Sequence, residues 1–219
     1  MPHSRHERAL RRAGHLAIAG VDEAGRGALF GPVYAAAVIL DPERQIRGLD
    51  DSKQLTPERR EVLAGRIRER SAAWAVGAAD AYEIDHWNIL EASRLAMRRA
   101  VETLAPTPDF LLVDATSVDL PIPQKPLIHG DCISFSIAAA SILAKVARDE
   151  TIRAWDRIFP EYGLKSHKGY YCKPHIEAIR RFGPTSLHRH SFAPIRDARH
   201  AEPWTGYPIP QQSEPLPCR

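Results

Sequence analysis

The sequence predicts a single α/β domain built on a mixed sheet with helices on both faces, and three observations carry that expectation. Two apolar runs, Leu16–Val21 and Val33–Leu40, flank a glycine-rich turn at the start of the chain. Beyond them, strand and helix patterns alternate, the order expected of helices covering both faces of one sheet. The chain has 219 residues, of which 44% are apolar and 26% charged, enough for one ordinary core and too apolar for a disordered chain.

The elements follow in order. Gly25, Gly27, Gly31 and Pro32 separate the first two strands, and Asp41-Pro42 closes the second. The loop Gly48–Lys53 leads to Thr56-Pro57, an N-cap residue followed by proline at the first helical position, so a helix is expected to about Glu69. Ala73–Ala81 alternates weakly and predicts a strand. From Glu83 to Leu104 the apolar residues fall at helical spacing, and Pro106 and Pro108 end that helix. Phe110–Val113 is a short buried strand that delivers Asp114 at its end, and Leu127–His129 is a brief fifth strand before Asp131. Ser136–Ile158 predicts a long helix whose first half packs through small residues, and Pro174–Phe182 another helix, in a small helical C-terminal region.

Residues 1–14 are expected to form a flexible basic arm, 15–200 the folded domain, and 201–219 a flexible tail, since five prolines crowd the residues from Glu202 onward. The longest nearly apolar stretch, Ala28–Leu40, has 13 residues, against about 20 for a membrane span. No apolar h-region follows the arginines near the start, so no signal peptide is expected. Cys132, Cys172 and Cys218 are odd in number and widely spaced, which disfavours a disulfide framework or a zinc ribbon and points to a reducing cytoplasm. The net charge of +3 divides unevenly: +3 in residues 1–14, −5 in 15–144, +6 in 145–200 and −1 thereafter. An acidic body with a basic arm and a basic C-terminal third suits a polyanion lying across a carboxylate-bearing site; a solvated helix face and a loose arm fit the same charges.

Four acids stand where a strand ends or a turn begins: Asp22, Glu23, Asp114 and Asp131. Loops converge at strand ends in open α/β sheets, and sites form there. Carboxylates gathered without a cation repel one another, and hard oxygen ligands without cysteine suit Mg²⁺ or Mn²⁺. Such clusters serve phosphoryl transfer through paired ions. Asp22 and Glu23 are neighbours, so on a regular strand they point to opposite faces and meet only if the strand ends or bulges. Any one of the four, taken alone, is better explained as a structural turn cap than as a catalytic group. Asp149 is expected on the surface or between helices, and Asp50 and Asp51 as loop and capping residues.

These residues fall into ordered blocks: Gly20-Val-Asp-Glu-Ala-Gly-Arg-Gly27 with Gly31-Pro32, Asp51-Ser-Lys53, Leu112-Val-Asp114, Gly130-Asp131, Ala138–Lys145, His167-Lys-Gly-Tyr170 and His188-Arg-His-Ser-Phe192. Together they resemble bacterial ribonuclease HII, from about residue 16 to 196. The resemblance implies a ribonuclease H-like fold and an endonuclease that cuts RNA in RNA–DNA hybrids and incises 5′ to a ribonucleotide in duplex DNA. It also implies that Asp22, Glu23, Asp114 and Asp131 bind catalytic Mn²⁺ or Mg²⁺. Gly25, Arg26 and Gly27 would read the ribose 2′-hydroxyl, with Tyr170 beside the neighbouring deoxyribose. Only that hydroxyl separates a ribonucleotide from its DNA neighbours, and glycines let backbone amides approach it.

Lys53, Lys168 and Arg189 are candidate phosphate contacts; for Lys168 a plain surface charge is as good a reading. Ala28, Phe30 and Tyr171-Cys172 depart from the family pattern as bulkier or differently shaped residues around the glycine loop and Tyr170. A DNA-specific nuclease would have no use for the glycine loop with Tyr170. A non-catalytic duplex-binding module would be hindered by four carboxylates, and a paired-carboxylate glycosidase would leave the basic third without a role. A nucleic-acid substrate and a monomer, away from membranes, complete the expectation.

Overall fold

Alternation along the second strand sets the two faces of the sheet. In the computed structural model, which describes residues 2–198, β2 (Val33–Ile39) sends Val33, Ala35, Ala37 and Ile39 to one apolar layer and Ala36 and Val38 to the other. It lies between β1 (Ile18–Ala24) and β3 (Ala73–Ala79), antiparallel to both. On its other side β1 runs parallel to β4 (Phe110–Asp114), which pairs in parallel with the edge strand β5 (Gln124–Leu127), giving the order β3-β2-β1-β4-β5. The mixed sheet with helices on both faces is therefore present as expected.

One layer is closed by α3 (Ala81–Glu102) through Ile84, Ala92, Ala96, Met97 and Ala100. The opposite layer is closed by α2 (Pro57–Arg70) and α5 (Phe135–Ile158). The small residues of α5 have a reason: a Cβ on Gly20 of β1 would lie 2.0 Å from the backbone of Ser136, so helix and strand meet backbone to backbone. Thr56 accepts from the Arg59 amide at 3.3 Å, and Pro57 follows it, so α2 starts where the sequence placed it.

Several local expectations are corrected. The predicted continuous helix over 83–104 is broken at Asn88, whose φ of 68° is left-handed; its Oδ1 accepts from the amides of Leu90 and Glu91 and starts the second half. The fifth strand lies at 124–127 rather than 127–129, with Pro126 tolerated because the strand is an edge. Asp131 consequently sits on a short helix, α4 (Gly130–Ile133), not directly after a strand. In the arm expected to be flexible, Arg5–Arg12 form helix α1, whose buried Glu7 accepts from the hydroxyls of Ser134 and Ser136 at 2.7 and 2.8 Å. A carboxylate receiving such bonds at the start of α5 gives the arm a fixed seat. The tail at 201–219 lies outside the described residues.

A second, smaller core joins the end of α5 to α6 (Leu164–His167), α7 (Lys173–Phe182) and α8 (Ala193–Ala198), around Phe30, Ile152, Tyr162, Leu164 and Ile179. Phe30, one of the departures from the family pattern, is fully buried there and meets His188 edge to face at 5.0 Å. This helical region grips the glycine loop from the side away from the sheet: the Leu29 amide donates to Gly169 O and the Gly31 amide to Leu187 O, both at 2.8 Å.

Candidate active site

At the C-terminal ends of β1 and β4 one cleft is lined by Asp22, Glu23, Ala24, Gly25, Arg26, Gly27, Ser52, Lys53, Asp114, Ser141 and Tyr170. Strand pairing explains how neighbours Asp22 and Glu23 both reach it. β1 continues without a break to Ala24 against β2, but pairs with β4 only as far as Val21 and Val113. After Asp114 the chain turns away at Ala115, with φ 53°, so β1 has an open edge that side chains from both faces border. No bulge is required.

The carboxylates are fixed by backbone. Asp22 Oδ1 accepts the Glu23 amide and Asp114 Oδ1 accepts the Gly130 amide, each at 2.7 Å, the second bond drawing the α4 turn that carries Asp131 toward the cleft. Burial, reinforced by Glu23 and Asp114, holds the Asp22 carboxyl well above the ordinary carboxylate range. Burial raises Glu23 too, against the opposing pull of Arg26, whose guanidinium lies 3.2 Å away. Asp114 is likewise pushed up by burial, against the Gly130 bond. Acids held this way take up protons or share a cation.

The donors fit a hard divalent ion. All are oxygens, Glu23 Oε2 is buried without a hydrogen-bond partner, and Asp22 and Asp114 each engage one oxygen with backbone. Asp131 is not part of the cleft lining; its Oδ2 accepts from Lys53 Nζ at 3.2 Å. Asp51, Asp131 and Cys132 lie close enough to share an ion, but the Lys53 ammonium already stands 3.9 Å from Asp51. Burial lowers the Lys53 ammonium's pKa, but Asp131, Asp51 and Asp22 together raise it by more.

The other candidates divide. Gly25, Arg26, Gly27, Lys53 and Tyr170 meet the carboxylates in the cleft. The Tyr170 ring is half-exposed, its backbone bridges Ala28, and the Gly27 backbone passes beside it. Lys168 is held back, its Nζ donating to Lys165 O at 2.7 Å. Arg189, a candidate phosphate contact, is corrected: it is fully buried, with Nε on Gly31 O at 3.0 Å and Nη1 on Arg26 O at 2.7 Å, a tie beneath the glycine loop. Asp149 is also not on the surface. It is buried between α2 and α5, 2.8 Å from Lys145 and 3.9 Å from Arg60, so its helix-pairing reading holds. Ser52 and Ser141, bonded to each other at 2.9 Å, join the site from outside the sequence candidates. Their signal is present, one inside Asp51-Ser-Lys53 and the other a hydroxyl inside the otherwise apolar run Ala138–Ala144.

Comparison with known proteins places the chain in a family. The family model described as Ribonuclease HII matches residues 19–195. A Ribonuclease HII of Solibacter usitatus (strain Ellin6076) is 65% identical over 87% of this chain and 83% of its own. That of Koribacter versatilis (strain Ellin345) is 57% identical over 88% of this chain and 76% of its own. Among solved structures, the ribonuclease H2 from Pyrococcus horikoshii OT3 superposes with a TM-score of 0.72 at 26% identity, covering 84% of this chain and 98% of that one. Among the described residues no helix is long and apolar enough to cross a membrane. The chain is a nuclease, and it belongs to the ribonuclease HII family.

Proposed function

We propose that this chain hydrolyses the RNA strand of RNA–DNA hybrids and incises duplex DNA on the 5′ side of an embedded ribonucleotide, leaving 3′-hydroxyl and 5′-phosphate ends. One observation carries the reading: the glycine loop and the Tyr170 ring face the same cleft as Asp22, Glu23 and Asp114, so a sugar can be read where its phosphate is cut. Asp22, Glu23 and Asp114, with Asp131 beside them, would hold two Mg²⁺ or Mn²⁺ ions. Such ions, when bound, would supply an activated water as nucleophile and charge stabilisation for the leaving oxygen.

The chain's own groups do the rest. Backbone amides of Gly25–Gly27 approach the 2′-hydroxyl, where side chains would stand in the way. The Tyr170 ring packs against the next sugar, and Lys53, mostly exposed beside Asp131, faces the phosphates. Arg26 neutralises Glu23 until a phosphate competes for it. The odd number and wide spacing of Cys132, Cys172 and Cys218 support a reducing cytoplasm as its setting.

The test is a labelled DNA duplex with one internal ribonucleotide beside an all-DNA control, each with Mg²⁺, Mn²⁺ or EDTA. A single metal-dependent cut 5′ to the ribonucleotide, with the control intact, is expected. Equal cutting of both duplexes would overturn the reading of the glycine loop, and no cutting of a bound duplex would overturn the activity.

A further inference from the structure

One buried side chain behind the cleft touches both parts that would read the sugar. Arg148, on α5, has no exposed surface. Its guanidinium lies 4.9 Å from the centre of the Tyr170 ring, and its Nη2 donates to Lys168 O at 2.7 Å, two residues earlier on the same segment. On its other flank, Nε and Cδ occupy the space where a Cβ on Gly25 would sit, 2.2 and 2.5 Å from it. Gly25 has φ 95°, so the loop needs glycine there twice over, for its backbone and for this side chain.

The price of this arrangement is visible. Arg148 Nε and Nη1 have no hydrogen-bond partner, and the nearest carboxylate, Asp149, is 3.9 Å away and already shared with Lys145 and Arg60. A buried, under-partnered guanidinium is unfavourable for stability alone. A Leu or Met would fill the same space without that cost. A flat cation that stacks on one wall and bonds the adjacent backbone does what neither can: it fixes the ring's tilt and its distance from the loop. On the far side of Asp149, Arg60 Nη1 donates to Ser52 O at 2.8 Å, next to Lys53, so the same cluster borders the opposite wall.

Building on the function proposed above, we propose that Arg148 is a positioning residue for sugar recognition, locking the Tyr170 ring and the Gly25–Gly27 loop at the separation that admits a ribonucleotide. It touches no substrate; it acts through Tyr170 and Gly25. Loosening it therefore costs geometry at the reacting sugar, where a misplacement of about 1 Å is worth on the order of a hundredfold.

A double-mutant cycle tests this. Single-turnover cleavage of the one-ribonucleotide duplex is measured for the wild type, Arg148→Lys, Tyr170→Ala and the double variant, with melting curves for each. Arg148→Lys keeps the charge and loses the planar stack. The expected result is a drop on the order of tenfold or more for Arg148→Lys, and a double variant no slower than Tyr170→Ala alone, because the two act as one unit. Should Arg148→Lys melt below the assay temperature, Arg148→Gln, which keeps a donor for Lys168 O, takes its place in the cycle. Additive losses, or no loss, in a protein whose wild type cuts the duplex would overturn the role of Arg148 alone. A wild type that spares the duplex would overturn the function and this role together.

Discussion

The two walls of the cleft are built on opposite electrostatic terms. On the sheet side, three carboxyls are held above their ordinary range by burial and mutual repulsion, with a fourth on the adjoining turn. On the helical side, buried groups are pushed the other way: the Arg189 guanidinium down to about 9, His175 to about 4 and His188 to about 3, all by burial first. The first wall is unfavourable until a cation arrives. The second is held mainly by bonds to backbone, its imidazoles neutral, as in His175 Nδ1 with Tyr170 O at 3.0 Å, while His175 Nε2, His188 Nε2 and Arg189 Nη2 have no partner. One wall stores the charge for chemistry, and the other holds shape.

The sharpest way to separate them is to remove one charge from each. Asp114→Asn keeps an acceptor for the Gly130 amide and removes one of the charges proposed to hold the metal. Cleavage should fall on the order of a thousandfold, the equivalent of several kcal/mol of lost cation stabilisation, while folding and duplex binding persist. Unchanged cleavage would remove Asp114 from the chemistry. Arg189→Met should do the reverse. It leaves Arg26 O and Gly31 O without their donor, so unfolding free energy should fall by about 3 kcal/mol in a urea titration. The slope of log Kobs against log salt for duplex binding should not change; a phosphate contact would lower it by roughly one, and that result would restore the residue's first assignment.

The sheet side was the more legible in sequence because its signals are local. An apolar run followed by Asp-Glu and glycines marks β1 and its turn, and Phe110–Val113 announces Asp114. What local patterns lack is the partner. Nothing near Arg189 reveals that its acceptors lie 158 and 163 residues away, so a buried tie reads as a phosphate contact. Glu7 is similar: four arginines around it suggest a solvated arm, and only Ser134 and Ser136, 127 and 129 residues on, explain why it is buried. Asp22 and Glu23 posed a problem of period that the sequence could state but not solve, since the answer is where β4 stops. Asn88 shows the remaining case, a polar residue whose side chain starts a new helical segment inside an otherwise continuous apolar period.

The helical wall makes an acid-stability prediction. Unfolded, both imidazoles titrate near 6.5; folded, they stay neutral to about 4 and about 3. Between these limits the unfolded chain binds more protons, so stability is full above pH 6.5 and drops as the pH falls toward the folded values. Each should cost about 2 kcal/mol by pH 5. In His188→Asn, whose amide oxygen can still accept from the Thr185 amide, the decline between pH 7 and 5 should be shallower by about half. Parallel curves for variant and wild type would show that His188 does not govern this region's response to acid.

The smallest effect is the one that tests whether the carboxylate wall is a liability without its ions. A group whose folded pKa is raised lowers stability when ionised; that penalty is complete above the folded pKa and vanishes below the unfolded value near 3.8. Asp22→Asn abolishes it, while the amide oxygen can still accept from the Glu23 amide. In the metal-free protein at pH 8, Asp22→Asn should therefore be more stable by about 1 kcal/mol, although it cleaves far less. The advantage should disappear near pH 4, where wild-type Asp22 is already protonated. Adding Mg²⁺ should raise the wild-type melting temperature more than the variant's, since a ligand stabilises the fold it binds. A variant less stable than the metal-free wild type at pH 8 would mean that Asp22 is held as firmly as the histidines opposite, and that the two walls differ in sign of charge only.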